Sequence, residues 1–190
     1  MQLNIRLLKA AALAAGKEQV RFYLAGVAVQ ADANGSYLVA TDGHRLLAFR
    51  QSTEAHEGDP INIIIPSDII AGIKLNKNVE IAELTRESAN AWRLDYCGTS
   101  IIFAPIDGTF PDWRRAVPET TDGTPAQFNP AYVGDMAKVM KALGASICGI
   151  AYNGQGPALV TFGEAVDGFG VLMPLRVKAD IPTGKPSWAR

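Results

Sequence analysis

The apolar positions of this chain change their spacing in an order that repeats. Leu3 opens a short strand, and a helix follows to about Ala15, with Leu7, Leu8, Ala11 and Ala15 on one side and Arg6, Lys9 and Lys17 on the other. Three runs of strand character come next, Val20–Gln30, Tyr37–Thr41 and Arg45–Arg50. The order then recurs: a strand at Ile61–Ile65, a helix at Asp68–Ile73 with Ser67 as its expected N-cap, and strands at Val79–Leu84, Ala91–Tyr96 and Ser100–Ala104. From Gln127 it recurs again, with Asn129 as cap, Pro130 in the first helical position and a helix to about Leu143. Strands at Ser146–Tyr152, Ala158–Phe162 and Phe169–Leu175 complete the third copy. The pattern predicts an α+β fold of three strand–helix–three-strand units.

Punctuation divides the chain along the same lines. Units at 1–52 and 60–105 form one domain, 1–106. A linker, 107–127, carries three prolines and is anchored at its start by Phe110 and Trp113. The third unit occupies 128–176, and the polar segment 177–190 reads as a flexible tail. The Ala-rich start could pass for a signal peptide, but Lys9 interrupts its apolar run, and an amphipathic helix fits better.

Composition narrows the classes without choosing among them. Of 190 residues, 48% are hydrophobic and 19% charged, enough apolar material for a substantial core. A net charge of −1 sets up no global basic field, though basic residues can still gather on one face. Cys97 and Cys148 stand far apart with no CxxC, which predicts reduced, buried thiols of a cytoplasmic protein. Two histidines and two dispersed cysteines offer no metal-ligand spacing, and no glycine-rich phosphate loop follows a strand, so no metal or cofactor is expected.

The densest polar chemistry is Asp42-Gly43-His44-Arg45, inside LVATDGHRLLAF (38–49). One reading makes His44 the base of a hydrolase, with Asp42 as its orienter. Adjacent residues do not readily form such a relay, whose members normally converge from separate segments. The plainer reading is a tight Asp-Gly turn between antiparallel strands, which leaves the following His-Arg-Leu unexplained.

LVATDGHRLLAF resembles a segment in the middle domain of the bacterial DNA polymerase III beta subunit, the replicative sliding clamp. QVRFYLAG (19–26) is similar to the block before it, and DGTFPDWRRAVP (107–118) to the clamp's interdomain block, with Trp113 where the family usually has tyrosine. FNPAYV (128–133) and VLMPLR (171–176) resemble the two ends of the last half-domain. These blocks follow the family's order. The resemblance implies a DNA-clamp fold of about one and a half clamp domains and a non-enzymatic processivity factor. Its ring would encircle duplex DNA without reading sequence, and it would bind DNA polymerase and other proteins bearing clamp-binding peptides.

On this resemblance Thr41, Gly43, His44, Arg45 and Leu46 form one wall of a peptide groove, completed by Pro111, Arg115, Tyr132, Val171, Met173, Pro174 and Leu175. Leu46, Val171, Met173 and Leu175 are expected to line an apolar cup, with His44 and Arg45 as donors to the peptide's polar end. The alternative is that Val171–Leu175 is simply a buried strand; Pro174 argues for a rim. Arg6, Lys9, Lys17, Arg21, Lys74, Lys77, Lys138 and Lys141 are the expected DNA contacts, against the plainer reading of solvated helix faces. Clamp subunits hold six such units and this chain three, so a ring of the same twelve would take four chains. A second reading is a clamp-like module that captures clamp-binding peptides and never closes a ring. The tail, with Trp188, is a further candidate to occupy the groove in cis.

Overall fold

Asn4 ends the first strand and starts the first helix. Strand β1 (Gln2–Asn4) stops where the Asn4 side chain accepts the backbone N–H groups of Arg6 and Leu7, capping α1 (Ile5–Ala12). The computed structural model describes residues 1–17, 19–52, 54–74, 80–164, 166–176 and 185–189. In the first unit, β2 (Gly26–Asp32), β3 (Gly35–Thr41) and β4 (Arg45–Ser52) follow. The second unit is β5 (Ile61–Pro66), α2 (Ser67–Gly72), β6 (Ile81–Arg86), β7 (Trp92–Tyr96) and β8 (Thr99–Phe103). The third is α3 (Pro130–Leu143), β9 (Gly149–Ala151), β10 (Ala158–Thr161) and β11 (Gly168–Leu172).

The first two units exchange their leading strands. β1 pairs antiparallel with β6, and β5 pairs antiparallel with β2. The sheets therefore run β1-β6-β7-β8 and β5-β2-β3-β4-β11-β10-β9. Each unit completes a sheet of the other, so neither buries its edge alone. The third unit extends the longer sheet through β4 and β11, with Leu46 opposite Val171 and Arg45 opposite Leu172.

Alternation along the strands builds two apolar layers. Val27, Val29, Leu38, Ala40, Leu47 and Phe49 face the main core, shared with Ile5, Leu8 and Ala11 of α1, Ile70 of α2, Met136 and Val139 of α3, and Leu84, Trp92 and Leu94 of the shorter sheet. Helices α1 and α3 thus lie side by side on one face of the seven-stranded sheet. Ala28, Val39, Leu46, Ala48, Ile64 and Val171 face the other way, where the linker covers them with Phe110 and Trp113. Trp113 Nε1 donates to Gln30 Oε1 at 3.0 Å, so the indole is satisfied as well as buried.

The structure corrects several local expectations. The run from Val20 does not begin as a strand: Val20 is 88% exposed, Phe22–Leu24 forms a 3-10 turn, and β2 starts only at Gly26. Ser67 is not an N-cap. Pro66 precedes the helix with no capping side chain, because its pairing with Gly26 in the sheet already sets where the helix starts. The third unit has no leading strand before α3; one hydrogen bond from Leu175 N to Gln127 O (2.7 Å) stands in its place. Asn129 does cap α3, accepting from Ala131 N, and Pro130 follows it. Cys97 is exposed, not buried, because the two-residue turn before β8 puts Cys97 (φ 47°) and Gly98 (φ 74°) in left-handed conformations. Cys148 is half-buried, and that burial pushes its thiol up from the ordinary value.

The join between β4 and β11 leaves no room at Gly168. A Cβ there would lie 2.3 Å from Phe49 Cδ1 and 2.8 Å from the Ala48 carbonyl oxygen. Gly168→Ala should therefore destabilise the protein by about 1–3 kcal/mol through overpacking. Urea denaturation checks it, and an unchanged midpoint would show that the junction yields at no cost.

Candidate functional site

The Asp42–Arg45 turn holds itself together before it offers anything outward. Gly43 has φ 89°, which suits glycine, and the Asp42 carboxylate accepts the backbone N–H groups of His44 (2.8 Å) and Arg45 (3.0 Å). Thr41 Oγ1 donates to Arg45 O at 2.7 Å and accepts from Gly43 N. Asp42 thus spends its carboxylate on the turn and not on the His44 ring, which removes the orienter that a His44 hydrolase would need. Among the described residues no group of three or more His, Cys, Asp or Glu is placed to hold a metal ion.

Arg45 takes a different part from the expected one. Its side chain is 8% exposed, lies 3.2 Å from Asp42 Oδ2 through Nε, and donates through Nη1 to Asp135 of α3. The Nε contact is an ion pair without hydrogen-bond alignment, so that atom has no hydrogen-bond partner. The guanidinium also sits 4.7 Å from the centre of the Tyr132 ring. Arg45 thus ties the turn to α3. Burial alone would push the Asp135 carboxyl up; hydrogen bonds from Lys138 and Arg45, with their charges, outweigh it and hold the group below the ordinary carboxylate range.

Around this tie the chain forms a cleft of about 260 Å³, lined by Ala15, Gly16, Lys17, Arg21, Leu24, Asp42, His44, Arg45 and Tyr132. His44 is exposed and its ring lies 6.2 Å from that of Tyr132. Arg21, one of the expected DNA contacts, lies here: a Cβ on Gly43 would meet its Nη1 at 2.6 Å. Beside the cleft, Met173 N donates to His44 O at 2.8 Å, fixing the segment after β11 against the turn. Met173 and Leu175 are 38% and 43% exposed, whereas Leu46 and Val171 are buried with Leu24, Phe110 and Trp113. The four side chains expected to form an apolar cup are therefore split between an accessible pair and a buried pair that forms a floor under the linker. Val171–Leu172 is an interior strand, and Met173-Pro174-Leu175 leaves it as a rim. Pro111 and Arg115 are exposed on the linker that covers this floor. Leu24 and Asp135 escaped the sequence reading, because nothing in their spacing marks them as neighbours of the turn. A larger cleft of about 930 Å³ runs along β5 and the shorter sheet, with His56, Asp59, Glu83, Arg86 and Asp107 in its lining.

The basic residues are distributed unevenly. Arg6 pairs with Glu80 at 3.0 Å, and Lys138 with Asp135 at 2.6 Å. Lys9 donates to the carbonyls of Ile70 (3.3 Å) and Ile73 (2.6 Å) at the end of α2, and burial lowers its ammonium from the ordinary value. Lys17, Lys74 and Lys141 are exposed. Lys77 lies outside the described residues, as does most of the tail. Trp188 is 85% exposed, so it fills no groove. No helix among the described residues is long and apolar enough to cross a membrane.

Known proteins match this architecture. Residues 2–112 match the family model of the DNA polymerase III beta subunit, central domain. The Beta sliding clamp of Caulobacter vibrioides is 33% identical over 121 residues, 60% of this chain and 32% of that protein. The Beta sliding clamp of Escherichia coli is 28% identical over 125 residues, 62% of this chain and 32% of that one. The chain thus aligns with about a third of the length of these curated relatives. The solved DNA polymerase III beta chain from Streptococcus pneumoniae superposes with a TM-score of 0.77 at 17% identity, covering 93% of this chain and 64% of that one. A C. crescentus beta sliding clamp superposes at 0.73 and 21% identity, with 93% and 65% covered. At such identities the likeness is one of fold, and its coverage takes in the third unit beyond residue 112.

The Asp135 tie predicts a pH dependence. A carboxyl held low in the folded state contributes stability in full above its unfolded value of about 3.9, and loses it as pH falls through the lower folded value. Wild-type stability should therefore fall on acidification below about pH 4, and Asp135→Asn should flatten that part of the profile. Thermal melts of both proteins across the acid range decide it; parallel profiles would mean that the Arg45–Asp135 contact carries no such linkage.

Proposed function

Because the chain belongs to the DNA polymerase III beta subunit family, we propose that it acts as a sliding-clamp-like processivity factor: a non-enzymatic protein that holds replication proteins to duplex DNA through short clamp-binding peptides. The observation that supports this reading is the β4–β11 junction, beside which the Asp42–Arg45 turn and Tyr132 line one cleft and Met173 is hydrogen-bonded to the turn at His44. An extended peptide with a leucine and an aromatic residue needs an apolar seat that adapts, and Met173, Leu175 and the Tyr132 ring supply it. His44 at the rim offers a donor or acceptor to the peptide's polar end. Arg21 and Lys17 line the same cleft, where they would favour an acidic or carboxy-terminal residue.

DNA contact falls to the helix face of the longer sheet. Lys141 on α3 is exposed there, beside Lys138, whose ammonium remains largely solvent-accessible despite Asp135, and Lys17 is exposed in the segment that follows α1. Spread attraction of this kind holds phosphates without reading bases, as sliding requires. With three units in each chain, four chains would supply a ring of twelve.

One observation favours the second reading, a peptide-capturing module that closes no ring. Arg6, Lys9 and Lys138 already have partners within the chain, which thins the basic face. Retention on circular but not linearised DNA supports the ring, and equal loss from both supports the module.

Fluorescence polarisation with a short peptide bearing glutamine, leucine and phenylalanine tests the common core of both readings. Tyr132→Ala and Met173→Ala should each weaken binding by about tenfold, roughly 1.4 kcal/mol. Binding that ignores both variants would reject the cleft. For DNA, Lys17→Ala and Lys141→Ala should each reduce the slope of log affinity against log salt by about one. Unaltered slopes would remove those lysines from the interface.

A further inference from the structure

We propose that the cleft between β5 and the shorter sheet is a docking groove for an extended segment of a partner protein, apolar at its centre and basic at its flanks, that pairs with the open edge of β5. Its volume of about 930 Å³ lies toward the upper end of the range that holds small ligands, about 300–1,000 Å³. It shares no lining residue with the cleft beside His44, so the two can be occupied separately.

The backbone of β5 supplies the first attraction. β5 pairs with β2 on one side and has no strand on the other among the described residues. Ile64 O turns outward, where it accepts from Ile106 N at 3.0 Å. Residues of an antiparallel edge alternate in direction, so Asn62, two positions earlier, also aims its N–H and C=O away from β2. Pro60 and Pro66 fall in the same phase and bring no N–H, and Ile106 closes the Ile64 end. The open stretch is therefore short and centred on Asn62, where a visiting antiparallel strand can exchange one pair of backbone hydrogen bonds.

The side chains define what that strand must carry. Ile61 and Ile63 alternate with Asn62, pack half-buried against the main core, and share the lining with Trp92 of β7. They give the groove an apolar floor, which suits apolar side chains at the centre of a ligand. The rim is acidic: Asp59, Glu83 and Asp107 all line the cleft and are exposed. Asp59 precedes β5, Asp107 follows the residue that closes its other end, and Glu83 stands on β6. Arg86 is the one side chain of permanent positive charge in that lining, and its Nε donates to Ser88 O of its own turn at 3.2 Å. Three carboxylates against one guanidinium favour a cationic ligand and repel phosphates. Because two of the carboxylates lie before and after the open edge, a basic residue at each flank of the segment complements them.

Fluorescence polarisation with a labelled, end-blocked peptide GKVTVRG tests the inference, with GEVTVEG as the control of opposite charge. The basic peptide should bind saturably and more weakly as salt rises, and the acidic one should not bind. Asp59→Asn combined with Asp107→Asn, both at exposed positions, should weaken binding by about fivefold. Asn62→Pro removes only an outward N–H of an edge strand, so it should keep the far-ultraviolet circular dichroism of the wild type while losing the peptide. Amide exchange followed by nuclear magnetic resonance supplies a second readout: the peptide should slow Asn62 and leave Ile61 and Ile63, already bonded to β2, unchanged. No saturation up to about 1 mM, equal binding of the two peptides, or an Asn62 amide indifferent to the peptide overturns the proposal. Binding of GKVTVRG by a protein that ignores the glutamine-leucine-phenylalanine peptide upholds this groove and sinks the clamp reading instead.

Discussion

The ladder between β4 and β11 is the constraint on which the rest of the molecule depends. It joins stretches of chain more than a hundred residues apart and makes one seven-stranded sheet to which all three units contribute. Its register is strongly specified from both sides. Leu47 and Phe49 must face the helices while Leu46 and Val171 face the linker, and a slip of one residue would turn every one of them to the wrong layer. Glycine at 168 and 170 lets the strand approach Phe49 and Leu47 closely, so the fit depends on absent side chains as much as on present ones.

That register explains why so polar a motif sits beside the join. Thr41, Asp42 and Arg45 turn their polar groups inward, to the turn's own backbone and to Asp135 of α3. An arginine with so little exposure would be costly unless paired, and the carboxylates on the turn and on α3 supply that pairing. The contact fixes the helix of the third unit over the turn of the first. What remains at the surface is smaller: His44, Met173 and Leu175. A motif that looks catalytic is mostly the framework of a cleft.

The same economy governs the basic residues. Lys9 sits against the carbonyl end of α2, where a cation is favoured by the unpaired C=O groups, and so links two helices that frame the core. Arg6 and Lys138 each share their charge with an acidic neighbour. Exposed pairs of this sort contribute little to stability and are screened by salt, so they soften the field of the helix face without abolishing it.

The sequence by itself determined the repeating order of helices and strands, the cap at Asn129 and the burial of Phe110 and Trp113. Those features rest on local spacing and on residue types whose preferences survive in any context. It overextended the strand from Val20, assigned a cap to Ser67, and buried Cys97, because in each case sheet pairing or turn geometry overrode local preference. Tertiary structure alone decided that β1 and β5 would change places, that Arg45 would face inward to Asp135, and that Arg21 would come to Gly43. Each depends on which distant edges and charges meet, and a period of two or of 3.6 residues says which face is apolar but not what will cover it.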